Sequence, residues 1–300
     1  MKLSLRLYLL LAGVGSLVPE SAFAQREVLY EQYVQNPMAI NPAFTGVRQD
    51  FNMNVMLRRR WFLIRNAPIT QTLSADGTVA GGRVGIGLMA LNDRMSPFFT
   101  TGAYASAAYH WEPSVGWKVS LGVQGGVNVL PVYDFSSATS ANRALGSAGA
   151  GVWVSHADRF FFGISKPELL SQGYGSDRQS LFRYRRPLFL YGGAALPAAD
   201  KLVVTPSLLV VQEQGRPLRL DAGARLWYDQ KIGFGLFYRG ASVNYLQVSG
   251  EAQVTGNIRL GYIYNSRAIE STIIGVSNNP LSIHEIMFKY IPSPTAFHLN

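Results

Sequence analysis

The 300-residue chain carries 27 Lys and Arg against 18 Asp and Glu, a formal net charge of +9, and contains no cysteine. The missing cysteines exclude a disulfide framework, a thiolate metal site and a lipidated cysteine anchor. The basic residues are dispersed and form no nucleic-acid signature, which argues against DNA or RNA as a partner, and 15% charge beside 48% hydrophobic content is apolar for an exported soluble chain, where about 25% charge is usual.

In chain order, Lys2 and Arg6 precede an apolar run from Leu7 to Val18, and Ala22-Phe23-Ala24 then offers small residues at the two positions a signal peptidase reads. This pattern predicts a secretory signal over residues 1–24, cleaved before Gln25. The run is shorter than the ~18 residues a membrane helix needs and ends at Pro19-Glu20. No comparable run follows, so any membrane crossing falls to strands, which turn half their residues to lipid.

Residues 25–50 precede the first strand pattern and are expected to lie in the periplasm or to plug a lumen. Asn36-Pro37 and Asn41-Pro42 impose two breaks, because the residue before a proline is pushed out of the helical region. They suit a docking or plug segment, or an ordinary cap at the entry to a strand. Arg58, Arg59 and Arg60 beside Trp61 suit anchoring at a membrane interface, or an acidic-partner patch.

From residue 51 a period of two takes over. In FFTTGAYASAAYHW, Phe99, Thr101, Ala103, Ala105, Ala107, Tyr109 and Trp111 share one face. Thr100, Gly102, Tyr104, Ser106, Ala108 and His110 share the other. From Phe99 to Tyr109, at ~3.3 Å per residue and ~40° tilt, is ~25 Å, the height of the apolar band on an outer-membrane barrel. Val119, Leu121, Val123, Val127 and Val129 likewise oppose Lys118, Ser120, Gly122, Gln124 and Asn128. Leu218, Leu220, Ala222, Ala224, Leu226 and Tyr228 oppose Arg219, Asp221, Gly223, Arg225 and Trp227, and Ile258, Leu260, Tyr262 and Tyr264 alternate with Arg259 and Gly261. Arg219, Asp221, Arg225 and Arg259 are therefore expected to face a polar lumen.

The predicted spans are 51–61, 68–80, 82–92, 98–111, 116–130, 147–157, 159–165, 187–197, 200–212, 216–228, 230–239, 243–254, 257–265 and 283–290. They make an all-β, up-and-down antiparallel transmembrane barrel of about fourteen strands over residues 51–290, with a short tail at 291–300. An even count puts both chain ends on the periplasmic side and lets the first and last strands close the ring. Residues 198–200 and 255–256 read as periplasmic turns, and Tyr133–Gly146 and Lys166–Arg186 as surface loops.

Five spaced motifs carry a resemblance: QYVQNPMAINPAFTG at 32–46, NAPITQTLSADG at 66–77, VGIGLMALNDRMSP at 84–97, GAYASAAYHW at 102–111 and HEIMFKY at 284–290. In this order the chain resembles the PorP/SprF family of type IX secretion and gliding-motility proteins of Bacteroidetes. The segments 149–170 and 202–211 resemble that family's strands too. The resemblance implies a barrel in the outer membrane of a Gram-negative bacterium. Its implied partners are the periplasmic lipoprotein and ring components of the type IX apparatus and a large secreted adhesin or other cargo.

Signs of chemistry are weak. HEIMF fails as a zinc-binding HExxH helix because Phe288 holds the second ligand position in a strand context. His284 therefore reads as a lumen or rim side chain. Asp93, His110, His156 and Asp158 fall near predicted strand ends, where polarity is ordinary, and no GxSxG nucleophile motif is present. Gly81-Gly82, Gly125-Gly126 and Gly192-Gly193 suit turns or barrel bends and precede no helix that could cradle a phosphate. The expectation is a non-catalytic barrel, with no cofactor or metal, that serves type IX export or surface anchoring. The alternative is a FadL-like passive channel for small or hydrophobic solutes.

Overall fold

A computed structural model describes residues 27–60, 67–95, 98–134, 139–157, 159–170, 186–240, 244–266 and 282–292. Predictions that fall elsewhere lie outside the described residues; these are the signal segment, Trp61, Asp158, most of 166–186 and the end of the tail.

The chain forms one closed antiparallel sheet. Strands β1 (Asn52–Arg60), β2 (Ile69–Val79), β3 (Val84–Met95), β4 (Phe98–Ser114), β5 (Trp117–Asp134), β6 (Thr139–His156) and β7 (Phe160–Lys166) pair in sequence. They continue into β8 (Leu188–Ala194), β9 (Leu196–Ala199), β10 (Leu202–Gln212), β11 (Arg219–Tyr228), β12 (Ile232–Arg239), β13 (Tyr245–Gln253), β14 (Ile258–Asn265) and β15 (Ile283–Tyr290). β8 and β9 are two pieces of one wall, interrupted at Ala195, and both pair with β10. β1 pairs with β15, Met53 opposite Tyr290, so fourteen walls close the ring and leave no open edge for lipid to solvate.

Alternation sets the faces. Phe99, Tyr109, Trp111, Leu121, Val123, Leu220, Tyr228, Leu260 and Tyr262 are exposed on the outside. Their chain neighbours Thr100, His110, Ser120, Gln124, Asp221, Trp227 and Arg259 are buried inside. Tyr109, Trp111, Trp117, Phe160 and Tyr228 gather at the short-turn end, where amphipathic rings meet lipid headgroups. One such turn, at 229–231, places Asp229 and Gln230 at φ of 48° and 56°, a left-handed pair closed by Lys231 N donating to the Tyr228 carbonyl at 3.0 Å.

The turns at 80–83, 115–116, 157–159, 200–201, 229–231 and 254–257 and both barrel ends share one mouth, the short-turn or lower mouth; the connections 61–68, 96–97, 135–138, 167–187, 213–218, 240–244 and 266–282 share the other, the long-loop or upper mouth. Outer-membrane barrels as a class carry their short turns on the periplasmic side and their longer loops on the outer side.

Two expectations are corrected. Most of Tyr133–Gly146 is not a loop: β5 runs to Asp134, β6 starts at Thr139, and the two pair throughout. Its Ser-, Ala- and Asn-rich sequence disguises a ladder held by backbone hydrogen bonds. Arg58 and Arg60 do not anchor at an interface, for they share the inward face of β1 with Asn52, Asn54 and Met56 and are almost fully buried. The period of two outweighs the clustering of charge in sequence.

The core lies inside the ring. Leu29, Tyr30, Tyr33, Val34, Met38, Ile40, Ala43 and Phe44, all N-terminal to β1, pack against Trp153, Phe161, Phe189, Tyr191, Leu209, Val211 and Phe237 of the wall. The interior is thus polar on the β1, β2 and β15 side, apolar from β6 to β10, and mixed on β11 and β12, where Trp227 and Phe237 stand beside Asp221, Arg225 and Arg239.

Candidate functional site

The N-terminal segment runs down the inside of the barrel. A one-turn helix, Glu27–Glu31, lies toward the long-loop mouth, with Tyr30 edge-on to Phe189 at 5.0 Å and Tyr33 edge-on to Tyr191 at 5.0 Å. Two 3₁₀ turns follow, Pro37–Ala39 and Pro42–Phe44, each with proline at its start, where a missing N–H costs nothing. The Asn41 side chain caps the second turn by accepting from Ala43 N at 3.0 Å, and donates from Nδ2 to Val152 O at 2.9 Å. Gly46 N then donates to Asp76 Oδ2 at 2.8 Å, just before the chain enters β1 at the short-turn mouth.

Between these ends the segment is tied to much of the wall. Glu31 forms an ion pair with Arg58, and Arg239 Nη2 donates to the Glu31 carbonyl at 2.8 Å. Gln32 donates to Glu285 at 3.2 Å and accepts from Thr72 at 2.9 Å. Asn36 donates to Ser74 at 3.0 Å, Lys289 donates to the Gln35 carbonyl at 3.3 Å, and Ser165 to the Ile40 carbonyl at 2.7 Å. Burial alone would raise the Glu31 carboxyl, but Arg58 and then Arg239 outweigh it and hold its pKa below the ordinary value. Arg48, near the lower mouth, is drawn down to about 10 by burial against the opposing pull of Asp76, and its guanidinium lies 5.0 Å over the Phe44 ring.

Glycine makes room for the lower half. A Cβ on Gly122 would overlap the Ala43 backbone, one on Gly85 the Thr45 carbonyl, and one on Gly151 the Asn41 side chain. At Gly87 it would lie 2.9 Å from both Met38 Sδ and Thr45 Cγ2, and at Gly163 2.7 Å from Asn41 Nδ2. These five inward glycines on β3, β5, β6 and β7 form a seam that seats the two Asn-Pro turns.

The predicted lumen residues separate into two groups. Arg219 and Asp221 pair at 3.4 Å near the upper mouth, where Asp221 also faces Arg239 at 3.5 Å. Arg225 and Arg259 lie lower, 6.0 and 4.6 Å over the Trp227 ring. Asn36, Pro37, Asn41 and Pro42 are all buried within the ring. The sequence pattern did not single out Glu31, Arg239, Glu285 or Lys289, and it assigned Arg58 to a membrane interface or an acidic-partner patch rather than to the lumen. The signal was present, since Arg58 and Arg239 fall on the inward register of their strands and Ile283, Glu285, Met287 and Lys289 form the buried face of β15.

The motif HEIM drew attention to His284, which lies on the opposite, outer face, at the rim rather than in the lumen, beside Tyr262 and Tyr264. Asp93 accepts from Thr70 at 2.6 Å and lies 3.7 Å from Arg60 near the upper mouth, whereas His110 bonds Ser120 at 2.7 Å and His156 packs on Trp117 near the lower one. The structure does not bring these candidates together, and among the described residues no group of three or more metal-ligating side chains is found.

Solved barrels share this architecture at very low identity. The outer membrane protein Omp33 of Acinetobacter baumannii is 7% identical, with a TM-score of 0.51 over 81% of this chain and 98% of its own. The CymD monoaromatic hydrocarbon channel is 10% identical, with a TM-score of 0.51 over 87% and 93%. The toluene transporter TbuX of Ralstonia pickettii is 9% identical, with a TM-score of 0.50 over the same shares. These likenesses establish the barrel fold alone. No curated protein matches the chain. The sequence profile of the type IX secretion system membrane protein family PorP/SprF matches residues 22–290, and the chain belongs to that family.

Proposed function

We propose that the protein is a non-catalytic outer-membrane barrel that helps the type IX apparatus export cargo proteins, large adhesins among them, or hold them at the cell surface. In this reading residues 1–24 are removed on export, and the periplasmic lipoprotein and ring components meet the short turns and the lower end of the 25–50 segment. The observation that carries it is the filled lumen. Side chains of at least eight strands, β1, β2, β4, β6, β7, β8, β12 and β15, contact or bond residues 30–45, an arrangement suited to holding polypeptide rather than to passing solutes.

The competing reading, a FadL-like passive channel, draws on the architecture shared with CymD and TbuX, and it needs a route past the same segment. The test compares the surface proteome and small-solute permeability of a deletion strain with the parent. Loss of one or a few surface proteins with unchanged permeability is expected. An intact surface proteome with lowered permeability would replace export by the channel reading.

A further inference from the structure

The contacts that hold the N-terminal segment divide by kind. Its lower half, Met38–Thr45, is seated by shape and by neutral hydrogen bonds: proline turns lie against the glycine seam, Asn41 donates to the Val152 carbonyl, Ser165 to the Ile40 carbonyl and Thr45 to Ser106. Its upper half is read by polar groups. Arg58 takes the Glu31 carboxylate, Arg239 the Glu31 carbonyl, and Glu285 and Thr72 the two ends of the Gln32 amide, while Lys289 takes the Gln35 carbonyl. Two of these five bonds go to main-chain oxygens, which any polypeptide offers.

Charge supplies the selectivity. Around the upper lumen the wall contributes Arg58, Arg219 and Arg239 against Asp221 and Glu285, and Glu31 brings the third carboxylate. Without the segment, this group of wall residues carries one uncompensated positive charge, which the Glu31 carboxylate neutralises where the filled lumen excludes water and an unpaired ion is costly. Nη1 of Arg58 and Nε of Arg239 are buried and have no hydrogen-bond acceptor among the described residues, so the wall holds donor capacity beyond what Glu31 uses. An occupant with a carboxylate and a free main chain meets all of these groups; a small inorganic anion meets only the charge.

We propose that the upper lumen wall around Arg58, Arg239, Glu285 and Thr72 is a receptor for a carboxylate-bearing peptide segment, occupied in cis by Glu31-Gln32, which a partner's acidic segment displaces from the long-loop mouth. The inference deepens the cargo-handling reading and rests on it for the source of that segment. The lower half stays in place during the exchange, because shape rather than charge retains it.

The test uses purified full-length mature protein in detergent and a fluorescein-labelled peptide of residues 26–36, REVLYEQYVQN, followed by fluorescence anisotropy. Wild type should bind weakly, because the site is filled. Glu31→Lys, which sets a cation beside Arg58 and Arg239, should bind the peptide about tenfold more tightly, the scale of one charge-assisted hydrogen bond. Glu31→Gln serves if the lysine variant does not fold, with folding judged by heat-modifiable mobility on gels. The gain should vanish when the peptide carries Gln in place of its Glu31, or when Arg58→Met is added to the barrel. No gain in either variant, or a gain indifferent to the peptide's carboxylate and to Arg58, would overturn the receptor. The assay contains no secretion apparatus. Specific binding alongside an unaltered surface proteome in the deletion strain would therefore sink the export reading and leave the receptor standing.

Discussion

Ala43 and Gly122 touch backbone to side-chain position: the space a Cβ would occupy on Gly122 is filled by the main chain of Ala43. Strand β5 has to carry glycine there for the second Asn-Pro turn to seat. Gly122→Ala should weaken docking of residues 37–45 by about 1–3 kcal/mol, the usual cost of overpacking. Hydrogen exchange at Ala43, Phe44 and Thr45 reads the effect. Gly250, on the lipid face with nothing within 4 Å of its added Cβ, is the control, and Gly250→Ala should leave exchange unchanged.

The outer face should respond to charge by depth. Leu88 is 66% exposed near the middle of β3, so Leu88→Arg should cost about 2–4 kcal/mol and lower the yield of folded barrel. Leu220 lies one residue from the upper end of β11, where the same change should cost roughly 0–1 kcal/mol. Arg219→Leu faces inward and keeps the outer face apolar, so insertion should persist. Heat-modifiable mobility of membrane fractions ranks the three; equal yields for Leu88→Arg and Leu220→Arg would contradict the depth assignment.

Acid should loosen the upper half of the segment first. Glu31 has a folded-state pKa below the ordinary carboxyl value. Its contribution to docking is therefore present above the unfolded value and is lost as pH falls through the lower, folded one. Amides of Leu29–Asn36 should remain protected at pH 7 and gain exchange only on acidification below the ordinary Glu range of about 4.3. Glu31→Gln should remove that step while leaving protection of Ala43 and Phe44 intact.

Topology can be read on whole cells. An epitope inserted between Asp134 and Thr139 extends the long β5–β6 hairpin and should be labelled on intact cells, while one inserted in the turn at Asp200-Lys201 should need permeabilised cells. Labelling of both without permeabilisation would reverse the assignment of the mouths.

The barrel was legible because its physics is local. A strand with lipid on one side and a crowded lumen on the other has to alternate, and each of the fourteen alternating spans corresponds to a wall of the ring. The same alternation held the positions of Arg58, Arg239 and Glu285, yet it says only which way a side chain points. Which residue it meets depends on the path of a segment that shows no period of its own. Glu31 lies 27 residues before Arg58 and 254 before Glu285, separations over which no periodicity operates. Asn36-Pro37 and Asn41-Pro42 announced turns, but only closure of the ring around them, with glycine on four strands facing inward at one height, decided that those turns sit inside the lumen. Sequence by itself determined the wall and its two faces through the period of two. Tertiary structure decided what fills the ring, because ion pairs and close backbone contacts between distant segments exist only after the first and last strands have met.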